Sequence, residues 1–142
     1  IELAKKVGKG IVIDAQENDP VAAIQDLTGG KGVGGVLECS GSPIARRQAA
    51  SVASRGATVV YVGAGNSELS VNFGDVLQKD LTIRGNSVYS MASYYDEVEF
   101  LLKHPVPLDD VVTHRFKIDQ AVEAFSIFDS GETGKAVFEW DD

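Results

Sequence analysis

Glycines stand directly after three apolar runs of this sequence: Gly41 after one, Gly63 and Gly65 after the next, and Gly85 after a third. Glycine has no Cβ, so a flat or phosphate-bearing ligand can approach its backbone closely. In open α/β sheets, ligands bind beyond the carboxyl ends of the strands. The spacing is thus compatible with a ligand pocket, and equally with plain strand-to-helix turns.

A literal G-x-G-x-x-G match occupies residues 30–35. That motif binds a pyrophosphate when a strand runs into it and a helix leaves it, because the helix N-terminus then faces the phosphates. Here a helical pattern precedes the glycines and a strand pattern follows them. We therefore interpret residues 30–35 as a turn that ends a helix.

Three further patterns resemble catalytic motifs without completing them. Residues 131–135 are similar to the end of a P-loop, but Ala136 occupies the Ser/Thr position that would meet magnesium. Residues 85–89 approach the nucleophile motif of hydrolases, but Tyr89 replaces the final glycine. His104 and His114 belong to separate predicted elements with no carboxylate motif around them, so we assign this chain no catalytic residue and no metal ligand.

The elements that must position the glycine turns alternate between strand and helix. Asp19-Pro20 and Ser42-Pro43 each place a capping residue before a proline, which is typical of a helix start. The predicted strands are residues 11–13, 33–39, 57–62, 81–83, 111–116 and 136–140. The predicted helices cover residues 1–7, Pro20 to Gly29-Gly30, Pro43 to Gly56, residues 94–102, and a stretch capped by Asp119. This alternation predicts an α/β fold with a mostly parallel sheet and helices on both faces.

Composition excludes several classes of partner. The chain has 142 residues, a size that suits one domain, and its net charge of -8 disfavours nucleic acid. No apolar run approaches the roughly 18 residues of a membrane helix. Cys39 is the only cysteine, so no internal disulfide is possible. We expect no membrane partner and a cytoplasmic location.

Five stretches, in order and with compatible spacing, together resemble one enzyme family. They are IELAKKVG at 1–8, AIQDLTGGKGVGGVLECSGSP at 23–43, GATVVYVG at 56–63, LTIRGN at 81–86 and VVTHRFKIDQAVEAFSIFDSGETGKAVFEW at 111–140. The set is similar to the zinc-dependent, medium-chain alcohol dehydrogenases, including the polyol and threonine dehydrogenases. No single stretch is decisive, but the ordered set is specific and covers nearly the whole chain.

The resemblance implies that the chain is the C-terminal part of a longer enzyme. The chain opens inside a helical pattern and its only methionine is Met91. In the family a zinc-bearing catalytic domain comes first, and a Rossmann domain follows it. By that pattern residues 1–142 are an incomplete Rossmann domain that lacks its first two strands, and residues 111–142 return to a missing catalytic domain. The glycine fingerprint and all zinc ligands would precede Ile1, so we expect the fragment itself to be inactive.

The implied reaction is hydride transfer between a small-molecule alcohol or polyol and NAD or NADP, with zinc only in the missing domain. The resemblance assigns the nicotinamide side of the cofactor cleft to three turns, and one basic residue to the region of the pyrophosphate. These residues are Cys39, Ser40 and Gly41; Val62, Gly63 and Ala64; Asn86, Ser87 and Val88; and Lys135.

Two structural consequences follow from the same resemblance. Gly34 and Gly35 replace residues that are usually an aspartate and a β-branched residue, which weakens the start of the second predicted strand. The missing strands leave one edge of that strand bare, and a bare edge tends to pair. We expect residues 11–13 to pair with residues 36–39, or a second copy to pair there and form a homo-oligomer. The alternative to an enzyme fragment is a non-enzymatic α/β interaction module with a vestigial nucleotide fold.

Overall fold

The computed structural model describes residues 1–65 and 71–140, which belong to two compact units. Unit 1 comprises Ile1–Val12 and Met91–Asp142, and unit 2 comprises Ile13–Ser90. The helices are α1 (Glu2–Val7), α2 (Pro20–Leu27), α3 (Pro43–Val52), α4 (Phe73–Lys79), α5 (Met91–Lys103) and α6 (Ala121–Ser130). The strands are β1 (Val33–Glu38), β2 (Ala53–Tyr61), β3 (Thr82–Gly85), β4 (Val112–Phe116) and β5 (Lys135–Phe138). Short 3-10 turns occupy Leu108–Val111 and Ile118–Gln120.

Unit 2 contains a three-stranded parallel sheet in the order β1-β2-β3. Helix α3 connects β1 to β2, and α4 lies between β2 and β3 along the chain. The register sets Glu38 opposite Tyr61 and Tyr61 opposite Gly85, so the three strands end at one level. The α/β class and the parallel sheet predicted from the sequence are confirmed.

The core of unit 2 lies between α3 and the sheet. Its buried members are small: Ala49, Ala53, Ala57 and Val59. Small side chains let helix and strand approach closely, and Val36, Tyr61 and Leu81 complete the cluster from its margin. Helix α3 therefore packs against the sheet through small side chains.

The two proline-led helices begin where the sequence predicts. The Asp19 carboxylate accepts hydrogen bonds from the backbone of Val21 (2.9 Å) and Ala22 (3.4 Å), with Pro20 in the first helical position. Ser42 occupies the N-cap of α3 without a side-chain capping bond. Gly30 and Gly32 lie between α2 and β1, as expected for a helix-ending turn, while Gly34 and Gly35 lie within β1.

The prediction of a strand at residues 11–13 is wrong. The segment has no regular secondary structure, and Ile11 is exposed. It lies between Gly10 and Asp14, too short a run to persist without a ladder partner. The expected pairing of residues 11–13 with residues 36–39 is therefore absent, and β1 stays at an edge of its sheet.

Two predicted helix boundaries are also wrong. Helix α3 ends at Val52, and Gly56 lies inside β2 with a φ of +73°. Pairing explains this difference: β1 steps from Val33 to Gly35 while β2 steps from Ala53 to Thr58, and the extra residues form a bulge that needs a glycine.

Asp119 does not cap α6, because it lies within the 3-10 turn that precedes this helix. The side chain of Gln120 accepts a hydrogen bond from the Lys117 backbone (3.0 Å) and closes that turn. Helix α4 was not predicted, although Asn72 caps it by accepting a hydrogen bond from Gly74 (3.0 Å).

Unit 1 pairs β4 with β5 in parallel, and α6 connects them. Phe116 stands opposite Phe138 in this ladder, and their ring centroids are 6.4 Å apart. Helix α5 forms near its predicted position and ends before Pro105. Within residues 1–65 and 71–140, no helix has both the length and the apolar composition that crossing a bilayer requires.

Candidate functional site

The turns that follow β1, β2 and β3 lie along one edge of the unit 2 sheet. Beyond the ladder, the backbone N–H groups of Val62 and Gly63 donate to the Glu38 carbonyl at 2.8 and 3.0 Å. The Asn86 N–H likewise donates to the Tyr61 carbonyl at 3.0 Å. The structure thus brings residues 39–41, 62–64 and 86–88 to neighbouring strand ends, as the prediction of a shared site requires.

The turns after β1 and β2 touch backbone to backbone at two glycines. A Cβ on Gly63 would lie 2.1 Å from the Gly41 nitrogen and 2.7 Å from the carbonyl carbon of Cys39. Gly41 has a φ of +71°, and a Cβ there would lie 2.9 Å from the Ala64 oxygen. Neither position has room for a side chain, so both glycines are required by close approach as well as by turn geometry.

A buried carboxylate organises the turn after β1. Glu38 is 5% exposed, and its Oε1 accepts hydrogen bonds from the Ser40 nitrogen (2.7 Å), the Ser40 hydroxyl (2.6 Å) and the Gly41 nitrogen (3.0 Å). The Ser40 hydroxyl in turn accepts from the Ser42 nitrogen at 3.1 Å. This network fixes the direction of the chain as it leaves the strand.

Arg46 connects this turn to the next one. It lies on α3, is 7% exposed, and donates from Nη2 to the Gly63 carbonyl at 2.8 Å. Its Nε lies 3.9 Å from Glu38 Oε2, and its backbone carbonyl accepts from the Tyr61 hydroxyl at 3.1 Å. One buried ion pair thus contacts the turns after both β1 and β2.

Sequence reasoning missed Glu38 and Arg46. The sequence did carry a signal, because Glu38 ends an apolar strand and Arg46 lies in an alanine-rich helix. Charged side chains in such surroundings are rarely buried unless they are paired. The sequence could not show that they pair with each other, or that Arg46 reaches the Gly63 carbonyl.

The electrostatics of the pair favour its charged form. Burial acts to raise the pKa of Glu38, but the hydrogen bonds from Ser40 and Gly41 and the charge of Arg46 outweigh it. The pKa of Glu38 is therefore lowered from its ordinary value. Burial, together with the negative charge of Glu38, raises the pKa of the Tyr61 phenol.

The turn after β3 carries backbone strain. Val88 has a φ of +50°, a conformation that a β-branched residue rarely adopts. The Asn86 side chain donates to the Val88 carbonyl at 3.3 Å, which helps to hold the turn. Strained backbone of this kind is often found where a ligand or a mechanism requires it.

Lys135 and the two histidines belong to unit 1. Lys135 opens β5 in unit 1 and is exposed, so it is not among the residues that unit 2 brings together. His114 shares hydrogen bonds with Thr113 and Thr133, at 3.0 and 2.9 Å from its Nδ1. His104 lies against the Phe100 ring, with centroids 4.7 Å apart. These contacts give both histidines a structural explanation.

The donor set present does not fit a zinc ion. Among residues 1–65 and 71–140 the structure holds no cluster of three or more His, Cys, Asp or Glu side chains suited to a metal. Structural and catalytic zinc sites require at least three such protein ligands. We therefore derive no chemistry through zinc from the side chains of these residues.

Comparison with known proteins matches the chain to dehydrogenases. Residues 1–103 match the family described as zinc-binding dehydrogenase. The L-threonine 3-dehydrogenase of Thermococcus kodakarensis is 34% identical over 140 residues, which cover 96% of this chain and 40% of that protein. The enzyme of the same name from Pyrococcus abyssi is 35% identical over 140 residues, with the same coverage.

Solved structures show the same likeness. The benzyl alcohol dehydrogenase of Acinetobacter calcoaceticus superposes with a TM-score of 0.83 at 28% identity, covering 99% of this chain and 40% of that one. The alcohol dehydrogenase TADH of Thermus sp. ATN1 gives a TM-score of 0.77 at 28% identity, covering 92% and 38%. The chain thus spans about 40% of the length of the relatives it matches.

Proposed function

This chain belongs to the zinc-binding dehydrogenase family, and we propose that it supplies the nicotinamide side of the dinucleotide pocket of an alcohol oxidoreductase. The observation that carries the proposal is the meeting of three turns at one sheet edge. Residues 39–41, 62–64 and 86–88 follow parallel strands that end at one level. That edge is where open α/β sheets bind nucleotides.

The chain's own residues fit a flat ligand approached through backbone. The first two turns pack backbone against backbone at Gly41 and Gly63, which sets the main-chain groups of both turns side by side. We propose that a planar ring and its carboxamide meet those main-chain groups. Cys39 and Ser40 border the cofactor ribose in this arrangement, while the backbone of Val62 to Ala64 and of Asn86 to Val88 orients the nicotinamide. We also propose Lys135 as a basic partner for the pyrophosphate.

A nicotinamide cofactor held by these turns would supply hydride acceptance: in its oxidised form it would take a hydride from the alcohol carbon, while the hydroxyl proton would pass to solvent and the alcohol would become a carbonyl compound. The role of these residues is to bind and orient the ring so that one face meets the substrate. We assign the zinc ligands to residues other than these 142, and residues 111–142 to the segment that returns to the catalytic domain. On that assignment these residues alone do not oxidise alcohols.

We further propose that β1 mediates self-association. No described strand pairs with the outer edge of β1, and Leu37 in this strand is 66% exposed. An open, apolar edge is a template for pairing with another strand. The occupant proposed is a second copy of the chain, which makes a homo-oligomer.

Titration of this chain with NADH tests the cofactor proposal. The fluorescence of the nicotinamide ring should change as NADH binds, and NADH should slow alkylation of Cys39, the only cysteine of the chain and an exposed one. ADP-ribose, which lacks the nicotinamide ring, is the matched control and should protect Cys39 less. Absence of both signals at about 1 mM NADH, a binding free energy near -4 kcal/mol, would favour the non-enzymatic module instead.

A further inference from the structure

We propose that Glu38 and Arg46 are a positioning pair that holds the turns after β1 and β2 in one fixed arrangement for the nicotinamide end of the cofactor. The inference rests on the proposed function and assigns a role to two residues that lie outside the three turns. Neither side chain is placed against the cofactor. Both act through the backbone of Ser40, Gly41 and Gly63.

The Glu38 side chain points toward the turn that follows β1. Glu38 ends β1, and its carboxylate accepts hydrogen bonds from the backbone nitrogens two and three residues further on, those of Ser40 and Gly41. Gly41 also reaches the second carboxylate oxygen, at 3.2 Å. Hydrogen bonds to a charged acceptor are stronger than neutral ones, so they hold both peptide groups firmly.

Arg46 reaches from α3 to the turn that follows β2. Its guanidinium donates to the Gly63 carbonyl at 2.8 Å, and its Nε faces the Glu38 carboxylate at 3.9 Å. The carbonyl direction at Gly63 and the amide directions at Ser40 and Gly41 therefore depend on the same pair. A displacement of either side chain moves both turns.

Because both side chains are buried, we infer that the pair fixes the local backbone geometry and adds little to the free energy of unfolding. Glu38 and Arg46 are 5% and 7% exposed. Desolvation of two charges offsets most of their attraction, so a buried pair adds little net stability over an apolar pair of similar volume. The pair instead supplies directed donors and acceptors, at the place where two backbones meet through Gly41 and Gly63.

The experiment compares Glu38→Gln, Arg46→Met and the double variant with the unsubstituted chain. Glu99→Gln is the matched control, because Glu99 makes an exposed ion pair with Lys103 at 2.5 Å and undergoes the same chemical change. Two quantities are measured at a temperature where circular dichroism shows every variant folded. They are the dissociation constant for NADH and the hydrogen-exchange rates of the Ser40 and Gly41 amides.

We expect Glu38→Gln to weaken NADH binding about tenfold and to speed exchange of both amides about tenfold. Arg46→Met should weaken binding similarly, and the double variant should lose less than the two single losses combined, because the residues act as one unit. Glu99→Gln should change neither quantity. If Arg46→Met fails to fold because it leaves Glu38 charged and unpaired, the double variant carries the test, since it buries no charge.

Unchanged NADH affinity in folded variants would show a merely structural pair and overturn the proposal. Unchanged amide exchange would overturn it independently of any cofactor, because the two amides would not depend on Glu38. If the unsubstituted chain fails to bind NADH, the proposed function fails, and the positioning role falls with it. In that case faster exchange in Glu38→Gln would still show that the contact itself is real, which separates the two failures.

Discussion

Replacing Gly63 with alanine would place a Cβ 2.1 Å from the Gly41 nitrogen and 2.7 Å from the carbonyl carbons of Cys39 and Ser40. All three neighbours are backbone atoms, so no side chain can rotate away to make room. Carbon atoms pack at about 3.5–4.0 Å, and the two turns would therefore have to separate by roughly an ångström or more. That movement would stretch the hydrogen bond from the Gly63 nitrogen to the Glu38 carbonyl, now 3.0 Å.

The expected cost follows from this overlap. Overpacking typically costs about 1–3 kcal/mol, and contact with fixed backbone favours the upper end, so we expect a loss of about 3 kcal/mol. With a urea dependence of about 2 kcal/mol per molar, the unfolding midpoint should fall by about 1.5 M. NADH affinity should fall by at least about tenfold, because the two turns no longer present the same backbone surface.

Gly65→Ala is the matched control for this prediction. A Cβ on Gly65 would lie 3.6 Å from the Gly41 oxygen, an ordinary van der Waals contact. Its free energy of unfolding should be unchanged or up to about 1 kcal/mol greater, since alanine restricts the unfolded chain. The measurements are urea unfolding followed by circular dichroism and titration with NADH. Equal effects of the two substitutions, or a Gly63→Ala chain as stable as the original, would refute the close-approach argument.

Three further outcomes follow from individual contacts. Val88→Asn should raise the free energy of unfolding by about 1 kcal/mol, because asparagine tolerates the positive φ at this position; a lower urea midpoint would contradict the assigned strain. The lowered pKa of Glu38 means that its stabilisation is complete above its unfolded pKa of about 4.3 and is lost as the pH falls through the folded value. The unfolding free energies of the original chain and Glu38→Gln should therefore converge in acid, and a gap that persists there would be inconsistent with this linkage. Asp19→Ala should cost about 1 kcal/mol in thermal unfolding by removing the bonds to Val21 and Ala22, while Asp19→Asn retains most of the stability.

Short sequence patterns, such as capping pairs and apolar runs, predicted the helices and strands that form through contacts between residues close in sequence. The Asp19-Pro20 and Ser42-Pro43 pairs located two helix starts, and the strand runs ending near Cys39 and Val62 located the turns of the candidate site. Residues 11–13 had the composition of a strand but no partner to pair with. A β-branched composition makes a segment capable of forming a strand, but a strand forms only where a partner strand is available for hydrogen bonding.

The sequence by itself determined the α/β class and the positions of the three turns, because capping and apolar spacing act within a few residues. The family resemblance came from the five ordered stretches of sequence. Only the tertiary structure decided that Gly56 lies in a bulge rather than at a helix end, and that Arg46 reaches the Gly63 carbonyl beside Glu38. A strand register and the partner of a buried charge are set by groups distant along the chain. Such groups meet only after β1, α3 and β2 have packed, so no local pattern of residues specifies them.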